Sequence, residues 1–238
     1  RIRRRTHSSR PYTGHTGMTH PIAPAATACG VAKNPFSTRH TRPGRLPPLD
    51  AAGVPIDPGR LLTRLRPGGM AIEGPHGHGK STLLHALLAE AAGAGRPTSC
   101  LRVGSRGWVR RALSAIGLAQ PGAVVGIDGW ERLPATIARV LIMTATCRRA
   151  TILATTHGPT RMPVLMRCET SPQVLAALVA LLPTHGGRIG GADIEEAFHV
   201  HGGNIREALY DLYDRFERRS RSPSVEPALP GLAPRPQP

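Results

Sequence analysis

The chain has 238 residues, with 31 Lys and Arg against 15 Asp and Glu and a formal net charge of +16. That length suits one α/β domain with a small helical appendage. Aromatics are only 3% of it, so Ala, Leu and Val must do most of the packing; the Ala, Arg, Gly and Pro content is also what a GC-rich genome produces. No apolar run is long enough to span a membrane, and Arg3 to Arg5 are not followed by the apolar segment of a signal peptide. Cys29, Cys100, Cys147 and Cys168 are too scattered for a disulfide or zinc framework and are expected to be reduced thiols in a cytoplasmic protein.

Residues 1–50 hold nine Lys or Arg and one acid, Asp50. With little apolar periodicity, they are expected to form a disordered basic tail. One reading is a phosphate-binding arm for nucleic acid. The other is a misplaced start or a fragment, since the chain begins with Arg and its first Met is Met18. Pro58 to Leu65 reads as a short helix. Met70 to Glu73 is the first strand, and Leu83, Leu84, Leu87 and Leu88 place a helix over 81–92. A second strand over 97–103, a helix over 108–116 and a third strand over 123–128 follow. The third is apolar throughout, as a strand buried on both faces should be. Glu131 to Arg149 is expected to be one long helix, with Pro134 tolerated in its first turn. Strands at 151–156 and 163–167 complete a core over 51–168.

Residues 169–219 read as three helices. Ser171-Pro172 opens the first, Asp193-Ile-Glu-Glu196 caps the second, and Ile205, Leu209, Leu212, Tyr213 and Phe216 share one face of the third. Residues 220–238 are Pro-rich and expected to be loose. The alternation predicts an α/β fold: a parallel sheet flanked by helices, with a small C-terminal three-helix lid.

The chemistry sits between the first strand and the helix after it. Gly74-Pro75-His76-Gly77-His78-Gly79-Lys80-Ser81 matches G-x-x-x-x-G-K-[ST] at every defining position, and Thr82 follows. In this pattern Gly74 and Gly79 let backbone N–H groups approach phosphate oxygens, Lys80 supplies charge to the β and γ phosphates, and the Ser81 hydroxyl ligates Mg²⁺. The helix N-terminus adds partial positive charge. His76 and His78 lack a third metal ligand nearby and read as loop fillers.

Ligands of parallel sheets bind at the carboxyl ends of the strands. The third strand ends in Asp128, a magnesium partner for Ser81 or an Asp opening a turn. Glu131 either orients the attacking water or sits in a first helical turn, where the dipole favours it. Thr155, Thr156 and His157 end the fourth strand, as γ-phosphate or water contacts or as a turn. Trp108 and Trp130 read as packing residues.

Lys80, Asp128 and Thr156 on successive strands resemble the additional-strand class of P-loop NTPases. Within it, residues 60–218 are similar to AAA+ ATPases of the initiator and clamp-loader type. Gly202-Gly203-Asn204-Ile205-Arg206-Glu207-Ala208-Leu209 resembles the stretch that opens the last lid helix there. The resemblance implies that Arg206 is the sensor that reaches the nucleotide; without it, Arg206 is equally a solvated helical residue. It also implies adenine as the base. Asp128 is followed by Gly129 where AAA+ proteins carry Glu, a feature closer to the STAND switches. Arg161 is the best position for an arginine finger, ahead of Arg148 and Arg149.

The expected function is an ATP-binding ATPase that couples Mg-ATP binding and hydrolysis to lid movement. Its catalytic residues would be Glu131, Lys80, Thr156 and Arg206. A nucleic-acid or protein partner and an oligomer are compatible with it; a membrane is not. The alternatives are a STAND-like switch with weak hydrolysis and, behind it, a small-molecule P-loop kinase.

Overall fold

Burial ranks the strands. β4 (Thr151–Thr156) is buried along its whole length, and β1 (Gly68–Glu73) nearly so. β3 (Val124–Asp128) is buried up to its terminal acid. β2 (Thr98–Arg102) and β5 (Val164–Arg167) leave residues exposed, as edge strands do. The computed structural model, which describes residues 34–221, joins them in the order β2-β3-β4-β1-β5 with every pairing parallel. Because β4 is inserted between β1 and β3, the carboxyl ends of all three lie side by side.

Parallel neighbours need crossover connections, usually helical, and helices cover both faces of this sheet. On one face, α2 (Pro58–Leu62) and α3 (Lys80–Gly93) bury Leu61, Leu83, Leu84, Leu87 and Leu88 against Met70, Ile72 and Leu153. On the other, α4 (Trp108–Gly117) and α5 (Ala135–Cys147) bury Ile116 and Leu141 against Val125, Ile127 and Ile152. Buried threonines at the strand ends are satisfied by hydrogen bonds, as burial demands. Thr151 Oγ1 donates to the Arg66 carbonyl at 2.9 Å, and Thr155 Oγ1 to Asp128 Oδ1 at 2.7 Å.

A third apolar cluster belongs to α6 (Pro172–Ala180), α7 (Gly191–Val200) and α8 (Ile205–Arg221). Its centre is Leu175, Ala197, Leu209, Leu212 and Phe216. The α6 start is as the sequence indicates: Ser171 Oγ accepts from the Val174 N–H at 3.2 Å, with Pro172 in the first turn. The architecture is therefore a parallel five-stranded sheet flanked by helices, with a C-terminal cluster of helices, as expected from the sequence.

Three local expectations are corrected. Residues 34–50, taken as part of a loose tail, carry α1 (Thr38–Thr41) and insert Phe36, 1% exposed, into the C-terminal cluster. Residues 1–33 and 222–238 lie outside the described residues. Glu131 does not begin a long helix. Leu133 is extended, because a residue before proline is driven out of the helical region, so Trp130–Arg132 is a separate 3-10 turn and α5 starts at Ala135. Asp193 is not the first cap of α7. It sits within the first turn and accepts from the Gly190 N–H at 2.9 Å.

Candidate functional site

Residues 74–79 join β1 to α3. Gly74 has φ 154°, and a Cβ there would lie 2.6 Å from the Cys168 carbonyl oxygen, so only glycine lets β1 turn this close to the end of β5. The N-cap of α3 is Gly79 in the left-handed region, with no side chain capping the first-turn N–H groups and open space where its Cβ would be. Uncapped donors at a helix start are ready for an anion.

Lys80 is buried. Its Nζ donates to the carbonyls of Gly74 at 2.6 Å and Pro75 at 2.5 Å and lies 3.0 Å from His157 Nδ1. Burial lowers its pKa, and the nearby charge of Arg206 adds to the effect, while Cys168, Glu131 and Asp128 oppose it. As an ammonium has only donors, Lys80 assigns the acceptor role to Nδ1 of His157 and the proton to Nε2. That nitrogen lies 3.4 Å from Glu131 Oε1. Burial first, and then Lys80, lower the His157 pKa, which favours the neutral ring. His76 stacks on the same ring with centroids 3.5 Å apart.

Asp128 ends β3 beside α3. Ser81 Oγ donates to its Oδ1 at 3.1 Å, and Arg102 donates to its Oδ2 at 3.2 and 3.3 Å. Burial pushes this carboxyl upward, but hydrogen bonds from Thr155, Arg102 and Ser81 hold it below the usual carboxylate range. The Ser81 hydroxyl and the Asp128 carboxylate form an adjacent oxygen pair of the kind that a hard cation takes.

The C-terminal helices approach the loop from above. Gly77 has φ 75°, and a Cβ on it would overlap the Asn204 side chain. Asn204 Oδ1 also accepts from the Glu207 N–H at the start of α8. Thr170 Oγ1 donates to the Gly203 carbonyl at 2.8 Å and lies 3.4 Å from His78 Nδ1. Arg206, in the first turn of α8, is exposed and lines the same cavity as Lys80, Ser81, Thr82, Asp128, Glu131 and His157. The cavity is about 990 Å³. Leu46, Pro48, Leu49, Ile56, Val174 and Leu178 give it an apolar wall.

Of the residues named from the sequence, Lys80, Ser81, Asp128, Glu131 and Arg206 share this cavity with His76, Gly77, His78, Gly79 and Thr82. Thr156 does not line it. It is buried, and its hydroxyl donates to the Gly158 carbonyl at 3.0 Å. The neighbour that reaches Lys80 is His157. Trp130 packs in the core, and Arg148, Arg149 and Arg161 are exposed and do not line the cavity. Sequence reasoning passed over Arg102 and the wall over Leu46–Leu49. Arg102 is legible only as the last residue of a strand; its pairing in register with Asp128 is set by the sheet. The wall is not legible, because nothing local in a Pro-rich stretch says what it will cover.

No family model and no curated protein matches the chain. Among solved structures it is similar to that of C. elegans PCH-2, at 12% identity and a TM-score of 0.37, over 63% of this chain and 61% of that one. The chain thus spans less than two thirds of PCH-2, and so weak a likeness bears on neither activity nor partners. Among the described residues, no helix is long and apolar enough to cross a membrane.

Proposed function

We propose that the chain is a P-loop NTPase that binds Mg-ATP at residues 74–82 and transmits the state of the nucleotide to α6–α8. One observation carries this reading. The Lys80 ammonium, the Ser81–Asp128 oxygen pair and the uncapped start of α3 meet in a cavity that Arg206 also lines. In this reading Lys80 leaves the Gly74 and Pro75 carbonyls for the β and γ phosphates. Ser81 and Asp128 hold Mg²⁺, which supplies charge neutralisation on the phosphate oxygens. Arg102 must release Asp128 for that, and it is free to swing, being 74% exposed. The apolar wall suits the flat face of a base. Adenine is proposed from the AAA+ resemblance alone.

Hydrolysis needs a base for water. Glu131 lines the cavity, with its Oε1 3.4 Å from Nε2 of His157, whose Nδ1 lies against Lys80. Thr156 has no part in this scheme. The same geometry supports a second reading, a slow switch, because Glu131 and Lys80 both lie against the His157 ring rather than open to the cavity centre. Calorimetry tests the shared claim. Mg-ATP binding is expected for the wild type and a loss of most of it for Lys80→Ala, which leaves the phosphates without their cation. Equal affinities would overturn the proposal.

A further inference from the structure

Charge is unevenly divided along this chain. Residues 91–168 carry eleven arginines and two acids, Asp128 and Glu131, both at the cavity. Residues 169–221 carry six arginines and eight acids. A compositional bias toward arginine acts on both stretches alike, so it does not account for the difference.

Five of those arginines gather at one corner. Arg102 ends β2, Arg106 lies in the following loop, Arg110 and Arg111 are in the first turn of α4, and Arg132 ends the 3-10 turn. All five are exposed. Arg132 lies against the β2–α4 loop, its guanidinium 3.4 Å from where a Gly104 Cβ would be. Arg106, Arg110 and Arg111 line a shallow groove with Leu101 and Ser114. Arg111 Nη2 donates to Ser105 Oγ at 2.5 Å. Among the described residues only Arg102 of the five has an acidic partner. Cations in the first turn of α4 oppose the helix dipole, and no acid there offsets them.

We propose that this corner is a docking surface for the sugar–phosphate backbone of a nucleic acid. Phosphodiesters match the forked guanidinium group, which binds them through two parallel hydrogen bonds. The charge does not lie on one element: Arg102 ends β2, and the loop, α4 and the 3-10 turn supply the rest, so the exposed guanidinium groups offer several phosphate contacts around one corner. The surface acts through phosphate alone and does not require that the chain hydrolyse ATP.

The test is fluorescence anisotropy on the full chain without nucleotide, using labelled single-stranded and duplex oligonucleotides over a series of salt concentrations. The wild type is expected to bind with a steep salt dependence. The triple variant Arg106→Ala, Arg110→Ala, Arg111→Ala is expected to lose roughly tenfold or more in affinity and about 2 to 3 in the slope of log K against log salt. The corresponding triple lysine variant keeps the slope. Should the loss of Arg111 unfold α4, the Arg106→Ala, Arg110→Ala pair is expected to lower the slope by about 2. An unchanged slope in either alanine variant overturns the proposal. So does a wild type that ignores oligonucleotides while binding phosphatidylserine vesicles or polyglutamate.

Discussion

Among the C-terminal helices, Arg215 is 14% exposed and surrounded by acids: Asp211 at 2.9 Å, Glu196 at 2.5 Å and Asp193 at 3.5 Å. Arg219 closes the same cluster on Asp193 and donates to the Arg188 carbonyl. At the strand ends the reverse holds. Lys80 rests on backbone carbonyls and an imidazole, and Arg102 reaches Asp128 from solvent. One region has matched its cations with carboxylates, and the other has left them to weak or exposed partners. A matched network fixes helix packing, whereas a cation on a carbonyl is free to change partners when a better anion arrives. Arg206 stands at the boundary, in the first turn of α8 and lining the cavity.

Substitutions on the two sides should therefore behave differently. The largest effect is expected at Glu131→Gln, which keeps nucleotide binding and lowers turnover by roughly a hundredfold; steady-state phosphate release measures it, and normal turnover would favour the switch reading. Next comes Arg206→Ala. If its charge faces the γ phosphate, the gap between ATP and ADP affinities narrows by ~1.5–3 kcal/mol, with thermal stability nearly unchanged because Ile205, Leu209 and Phe216 still pack. Calorimetry with both nucleotides gives the ratio, and an unchanged one would return Arg206 to the solvated surface.

Arg215→Ala should do the opposite, lowering stability by about 1–2 kcal/mol and leaving nucleotide affinity alone. Its pH dependence has a definite sign. Hydrogen bonds from Arg219 hold Asp193, and from Arg215 hold Asp211, below the ordinary carboxylate range. Stability from this source is complete above the unfolded value of about 3.9 and is lost as pH falls below it. Melting curves between pH 7 and strong acid should fall less steeply for Arg215→Ala than for the wild type. The smallest effect is expected at the seam. Gly77→Ala and Asn204→Ala should each cost about 1 kcal/mol, the first through positive φ and crowding, the second through loss of a helix cap. The double variant should cost less than the sum, since removing Asn204 relieves the crowding; strict additivity in denaturant titrations would show that the loop and α8 do not touch.

Much of this was legible in the residues themselves. The bounds of β4, the start of α6 at Ser171-Pro172 and the apolar stripe of α8 follow from local preferences that do not depend on distant partners. The phosphate-loop pattern was equally visible, because backbone curvature and a lysine at fixed spacing are properties of consecutive residues. The long helix from Glu131 was misread for a local reason: the effect of Pro134 on Leu133 outweighs the helical periodicity around it.

What only the tertiary structure decided is which side chains of different strands and helices meet. Thr156 and His157 are adjacent and both polar. Thr156 ends β4 and is buried, with its hydroxyl on the Gly158 carbonyl, whereas His157 lies in the bend after the strand and reaches Lys80; the sequence shows where the strand stops but not which residue beyond it meets the loop. Asn204 on Gly77, Arg102 on Asp128 and Phe36 among the C-terminal helices are likewise long-range contacts. Their energies depend on how separate segments pack, and no short window of sequence contains both partners.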